Sequence, residues 1–319
     1  MDQPSFFSKL QWLPLPLVPT MLGFATLGNL WSGAGFEGVR NLTFAIALIV
    51  WLLYAGKLLF HGRVFLKEYG GTIPSSLYSA FCMLAMSLSA WLAQWFFEPA
   101  RVVYIAAIAL HALHIVVFTY RHVLRGVNMD QFVPTWFVTY VGITVSTVVG
   151  GVFDFPVIPV IMVYYGIAIY VVLTLLLIVR MRSRPVPEVA LHTRAIMVAP
   201  CSLCIVSYLN VMADPNVYVV GALYAVILIK LVYVFMKIPL FFSVSFRPGF
   251  ASLTFPMAIA AVASFSMADY LFSQGHEGLG GLVTQLAGLQ MYLTTAVVGY
   301  VLFNFAKMGI KALRPARNA

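Results

Sequence analysis

The sequence predicts an all-α integral membrane protein: ten transmembrane helices, paired as five helical hairpins in a quasi-fivefold arrangement. Three observations carry this prediction. Hydrophobic residues make up 62% of the 319-residue chain and charged residues only 9%, whereas a soluble globular domain is about one quarter charged. Uninterrupted apolar runs such as 157–179 and 217–236 are long enough to cross a bilayer as helices. The ten-residue alternation of an outer-membrane barrel is absent. Finally, prolines recur at Pro16 and Pro19, Pro74, Pro134, Pro200 and Pro256, roughly every 55 to 65 residues. That is the period of a hairpin made of two ~20-residue spans and their loops.

In chain order the spans fall at about 14–32, 41–60, 74–97, 101–120, 134–153, 157–179, 194–213, 216–238, 250–272 and 281–306. The loops between them are short, so residues 1–319 read as a single transmembrane domain. The stretch from Met1 to Lys9 is polar, and Pro14, Pro16 and Pro19 interrupt the first apolar run, so no cleavable signal peptide is expected.

Each odd-numbered span carries one of the recurring prolines. A proline inside a helix removes a hydrogen bond and clashes with the preceding turn, which kinks or breaks it. The freed carbonyl is costly in hydrocarbon, so such backbone belongs inside a bundle or along a wet cavity. This places five proline-kinked helices around a central pore, with Pro16, Pro19, Pro74, Pro134, Pro200 and Pro256 as the kinks.

Their faces agree with that placement. The first span offers Gly23 and Thr26, the third Ser79, Cys82 and Met86, and the fifth Gly142 and Ser146. Cys204 on the seventh and Ile259 and Val262 on the ninth complete the candidate lining. Small residues also let membrane helices pack closely, so any one stripe alone is compatible with simple packing. The even spans are bulkier, as in 173–178 and 225–235, and suit an outer, lipid-facing ring.

Charge sets the orientation. Sixteen of the 19 Lys and Arg residues lie at the termini or in segments joining an even span to the next odd one. They include Lys9, Lys57, Arg63, Lys67, Arg121, Arg125, Arg180, Arg182, Arg184, Arg194, Lys237, Arg247, Lys307, Lys311, Arg314 and Arg317. Only Arg40 and Arg101 fall in the opposite loops, which instead hold Glu37, Glu98, Asp154, Asp214, Asp269 and Glu277. Both termini are therefore expected on the cytoplasmic side. The net charge of +9 is accounted for by topology, and nucleic acid is not an expected partner.

Several features invite other chemistry and are outweighed. Cys201 and Cys204 form a C-x-x-C inside an apolar span with no second pair, which favours packing over redox or zinc binding. His111 and His114 share a face of the fourth span, but no further ligand matches, so a hydrogen-bonded structural pair is expected. Lys230, inside the eighth span, is expected to snorkel to the interface, with an inward-facing side chain that attracts anions as the alternative. Arg180, Arg182 and Arg184 with Pro185 and Pro187 make a basic, solvated loop. No Walker loop, dinucleotide glycine pattern or hydrolase elbow is present in a credible context. No catalytic residue, metal or cofactor is expected. The inner spans hold almost no charge, and a coupled carrier usually needs a carboxylate or histidine on its path. A wall of hydroxyls, backbone groups and aromatic rings instead suits weak, non-trapping passage of anions.

The segment 245–257, Ser-Phe-Arg-Pro-Gly-Phe-Ala-Ser-Leu-Thr-Phe-Pro-Met, resembles the ninth-helix motif of the tellurite-resistance/C4-dicarboxylate transporter family. That family includes plant guard-cell slow anion channels and bacterial TehA proteins. The opening Pro14, Gly23, Leu27-Gly28 and Leu30-Trp31 resembles its first helix, and Ala199-Pro200 its seventh. The resemblance implies a homotrimer in a bacterial inner membrane, each protomer with its own pore. It also implies that a phenylalanine before the ninth-helix proline, here Phe255, closes that pore. Physics supports the role, because an apolar ring beside a helix break can block ions by dewetting and move by a rotamer change; ordinary packing is the competing explanation. Small inorganic or organic anions, the bilayer and further copies of the chain are the expected partners. An exporter or carrier of C4-dicarboxylate, sulfite or tellurite-type oxyanions is the alternative. Pro16 and Pro19 depart from the small residues of the family's first helix, and are expected to narrow the cytoplasmic half of the pore or alter its selectivity.

Overall fold

The computed structural model describes residues 6–184 and 186–313, so Pro185, Arg314 and Arg317 lie outside the described residues. The described residues hold helices and no strands. Eight helices are long and apolar enough to cross a membrane: Glu37–Phe60, Thr72–Leu92, Phe97–Leu124, Ile158–Ser183, Ala190–Val211, Val217–Phe242, Pro248–Ser273 and Glu277–Lys311.

They divide into two kinds. In the most apolar windows of Thr72–Leu92, Ala190–Val211 and Pro248–Ser273, 72–78% of residues are buried, against 28–33% in the other five. The buried three are odd spans that begin near prolines; the five more exposed ones are the bulky even spans.

The α-helices that carry the fold are α1 (Leu17–Gly33), α2 (Glu37–Phe60), α3 (Gly62–Tyr69), α4 (Thr72–Leu92) and α5 (Phe97–Thr119). They continue as α6 (Ile158–Ser183), α7 (Val198–Val211), α8 (Val217–Phe242), α9 (Thr254–Ser273) and α10 (Glu277–Leu313). Between α5 and α6 runs a broken stretch, 136–153. Helix α1 packs against α4, α4 against the broken stretch, that stretch against α7, α7 against α9, and α9 back against α1. The buried segments therefore form a closed circuit, with α2, α5, α6, α8 and α10 packed around it. Tight turns join neighbours: Gly35 (φ 94°) between α1 and α2, and Gly275 (φ 76°) between α9 and α10, hold left-handed backbone that favours glycine. Asn216 caps α8, its Oδ1 accepting from the amides of Tyr218 (2.9 Å) and Val219 (3.4 Å).

Three expectations need correcting. First, the expected fifth span is not one helix. It alternates between α-helix at Trp136–Tyr140 and Val145–Val149 and 3-10 helix at Gly142–Thr144 and Gly150–Phe153. Gly142, Gly150 and Gly151, set among β-branched Val and Thr, weaken a continuous helix here.

Second, the prolines start α-helices more than they kink them. Pro19, Pro74, Pro200 and Pro256 each occupy the third position of α1, α4, α7 and α9, Pro16 immediately precedes α1, and Pro134 lies in the loop before Trp136. First-turn amides have no intrahelical acceptor, so proline costs little there. Only in the seventh and ninth spans does the proline mark a break, where 3-10 turns at Glu188–Met197 and Pro248–Leu253 give way to α-helix.

Third, α8 does not stop at Pro239 but runs to Phe242 with the proline inside it.

Candidate functional site

The prolines that open the buried helices converge on one cavity of about 360 Å³. Pro16, Pro19, Pro74, Pro200 and Pro256 all line it, together with Gly142 and Phe255. Pro134 does not, although its neighbour Thr135 does. Pro200 and Pro256 cannot donate to the carbonyls four residues back, on Ile196 and Ser252, and both of those residues also line the cavity. The wall thus gathers the places where the 3-10 turns hand over to α-helix.

Phe255 is buried and sits at the start of α9. One turn earlier, Phe250 is clamped among His192, Phe242, Phe246 and Tyr300, with ring centroids 4.1–5.7 Å apart. Phe255 belongs to none of the aromatic ring pairs among the described residues. Its backbone, by contrast, is fixed by α1. A Cβ added to Gly23 would stand 2.6 Å from the Phe255 amide nitrogen and 2.8 Å from the Thr254 carbonyl carbon. Gly23 is therefore the point where α1 presses directly on the backbone that carries Phe255. Replacing Gly23 with valine is expected to push α9 away and lower stability by about 1–3 kcal/mol, as overpacking does. A thermal melt of the detergent-solubilised protein checks this.

The other candidate lining residues lie elsewhere. Ser79 is buried, its hydroxyl donating to the Ser76 carbonyl at 2.6 Å, and Cys82, Met86, Cys204 and Ile259 are buried in the packed core. The Ser146 carbonyl accepts from the Tyr104 hydroxyl at 2.7 Å. Thr26 bonds back to the Leu22 carbonyl at 2.8 Å, and Val262 packs beside Leu27 and Met291. None of these, nor Gly23, lines the cavity.

A charge is present where none was expected, in an inner wall read as free of carboxylates. Glu68, on the short amphipathic helix α3, lines the cavity. Its Oε1 lies 2.9 Å from Nζ of Lys57, which also donates to the Leu13 carbonyl at 2.9 Å. The Tyr78 hydroxyl donates to Glu68 Oε2. The Lys57 side chain is fully buried, whereas that of Glu68 is 31% exposed. In sequence, Phe65, Glu68 and Tyr69 share one face of α3 at helical spacing, a signal that the loop expected between the spans 41–60 and 74–97 leaves out. Beside it, burial pushes the Tyr69 phenol above its ordinary range, against the pull of Ser75 and Arg121. Tyr69 Oη lies 2.6 Å from His114 Nδ1.

The remaining candidates are tied into the helix packing. His111 Nε2 lies 2.9 Å from the Thr139 carbonyl. Lys230 does not snorkel: its Nζ donates to the Tyr170 hydroxyl at 3.0 Å and sits 4.7 Å over that ring, bridging α8 to α6. Cys201 and Cys204 are free, buried thiols.

A second cavity, of about 400 Å³, shares α1, α4 and the broken stretch with the first toward their opposite ends, and is completed by Arg40 and Phe44 of α2 rather than by α7 or α9. Along α1 the wall passes from Leu22 in the first cavity to Asn29 in the second; along α4, from Met83 to Ser87; along the broken stretch, from Gly142 to Val148. On α4 only four residues separate them, about 6 Å of helix rise. The sequence model of one family, SLAC1, described as voltage-dependent anion channel, matches residues 13–308. The chain belongs to that family. Among curated proteins none matches it. Membership of the voltage-dependent anion channel family, with eight apolar spanning helices, makes this a multi-pass membrane protein. It also points to anion channel or transporter activity rather than enzyme catalysis.

Proposed function

We propose that each protomer is an anion channel whose path runs through the ring of buried segments and is closed at Phe255. The observation that carries this reading is that two cavities share walls on α1, α4 and the broken stretch, about one helical turn apart on α4. In this reading the ring consists of five hairpins, with α1 and the stretch 136–153 as the first and fifth inner elements. Small anions such as chloride or nitrate are the cargo. Purified protein in planar bilayers is expected to show reversal potentials that follow imposed chloride, nitrate, sulfite or malate gradients. Potentials that track potassium instead would refute the reading.

Orientation and assembly complete the proposal. Both termini face the cytoplasm of a bacterial inner membrane, supported by the lysine and arginine asymmetry. An impermeant thiol reagent added outside should reach a cysteine beside Asp214 and miss one beside Arg182. The protein assembles as a TehA-like homotrimer with three separate pores, a dominant mass that native mass spectrometry reads directly.

One observation favours a second reading, a carrier for dicarboxylate, sulfite or tellurite-type oxyanions. Glu68 puts a carboxylate in the cavity wall, where a coupled carrier would use one. Saturable flux driven by a proton gradient, without unitary currents, would select the carrier over the channel.

A further inference from the structure

The second cavity differs in charge from the first. Its polar wall residues are Asn29, Arg40, Ser87 and Gln94, and it contains no carboxylate. Arg40 is half-buried, and its Nε donates to Asn29 Oδ1 at 3.0 Å. Its guanidinium carbon lies 5.8 Å from the centroid of the Phe44 ring. The described ion pairs are Lys57–Glu68, Arg184–Asp130 and Arg247–Glu188, so Arg40 has no carboxylate partner among the described residues. With Nε committed to Asn29, the Nη1/Nη2 edge makes no hydrogen bond among the described residues.

The fold holds this group in place. A Cβ at Gly28 would fall 1.9 Å from Thr43 Oγ1 and 3.3 Å from Arg40 Cα. That glycine brings α1 and α2 together where Asn29 meets Arg40. The Ser87 hydroxyl donates to the Met83 carbonyl at 3.3 Å and Gln94 Nε2 to the Trp91 carbonyl at 2.9 Å. These two donors are already engaged within the protein, which leaves the Asn29 amide nitrogen and the Arg40 guanidinium edge as the wall's donors without a hydrogen bond among the described residues, Arg40 being the charged one.

We infer that the second cavity is an oxyanion-binding subsite, in which the free guanidinium edge of Arg40 takes two oxygens of a nitrate- or carboxylate-like anion. This deepens the channel reading and rests on it for the direction of flow. A guanidinium edge presents two parallel N–H donors that match two oxygens of a planar oxyanion with near-linear bonds, whereas a halide, with one acceptor centre, takes both only through bent ones. The subsite therefore prefers nitrate to chloride. It lies at the end of the path away from the basic loops, where cations are few and a single one counts most.

The test uses the full-length protein in detergent and in bilayers. Ligand bound to the folded state raises thermal stability by mass action, so nitrate should raise the melting temperature of the parent above chloride at equal ionic strength. Arg40→Gln should abolish that difference and raise half-saturating nitrate, applied from the second-cavity side, about tenfold or more. Arg40→Lys keeps the charge without the fork, so the ratio of half-saturating nitrate to half-saturating chloride should rise toward one. Should Arg40→Gln be poorly produced, Arg40→Lys alone decides the matter through that ratio. Parent-like nitrate stabilisation or parent-like half-saturation in either variant would overturn the subsite while leaving the channel reading intact. Nitrate stabilisation that depends on Arg40, in a protein passing no anion current, would keep the subsite and sink the channel.

Discussion

Replacing Phe255 with alanine is expected to raise basal anion current about tenfold or more, equivalent to some 1.4 kcal/mol or more off the barrier to permeation. The ring lies in the cavity wall, and α1 fixes the backbone beneath it through Gly23. Truncation therefore removes the ring and leaves its anchor. Pro256 and the 3-10 turn before α9 remain, so helix geometry and assembly should persist. Phe255→Leu keeps part of the apolar obstruction and should give a smaller rise. Phe235→Ala, on the exposed helix α8, should change little. Single-channel or whole-cell recording, normalised to membrane abundance, checks all three. Normal abundance with parent-level current in Phe255→Ala would remove this residue from the gate.

Lys57→Met should destabilise the protein by about 2 kcal/mol. Breaking a buried ion pair costs roughly 3–5 kcal/mol because one charge is left stranded, and the partial exposure of Glu68 reduces that figure. Methionine keeps the apolar stem but strands both Glu68 and the Leu13 carbonyl, which share the Lys57 ammonium. Glu68→Gln strands the ammonium instead, at similar cost. The double variant should recover most of the loss, because neither charge then remains unpaired. Thermal melts of the four proteins form a double-mutant cycle that isolates the coupling. Additive losses would show that the two side chains act independently.

How much was legible follows from what a linear pattern can encode. Apolar runs and proline spacing report length and period, and these separate more buried from more exposed helices, as Thr72–Leu92 and Phe97–Leu124 show. The same pattern cannot tell a face that lines a cavity from one that presses on a neighbouring helix, since both call for small residues. Gly23 was read as lining and instead packs against α9, while Gly142 does both, with Met83 Sδ 2.7 Å from its would-be Cβ. Glu68 escaped because its meaning depends on Lys57 and Tyr78, brought to it by two other helices, α2 and α4. Arg40 counted only as a topology signal, since its free edge exists by virtue of where Asn29 stands.

The broken stretch 136–153 bears on how the chain enters the bilayer. Neither it nor the 17-residue α1 is among the eight helices long and apolar enough to cross alone. Each change between α and 3-10 winding interrupts the regular ladder of main-chain bonds, and hydrocarbon gives such interruptions no relief. Partners must shield it: the Tyr104 hydroxyl reaches the Ser146 carbonyl from α5, and the Asn210 amide lies 3.4 Å from the Thr147 and Val148 carbonyls. Asn210 belongs to α7, which the ribosome makes some sixty residues later. In the ten-span plan, then, co-translational insertion cannot finish this segment as it emerges. In the folded chain a helix made late thus completes the hydrogen bonding of an earlier segment, which is expected to reach its final depth only after α7 has been inserted.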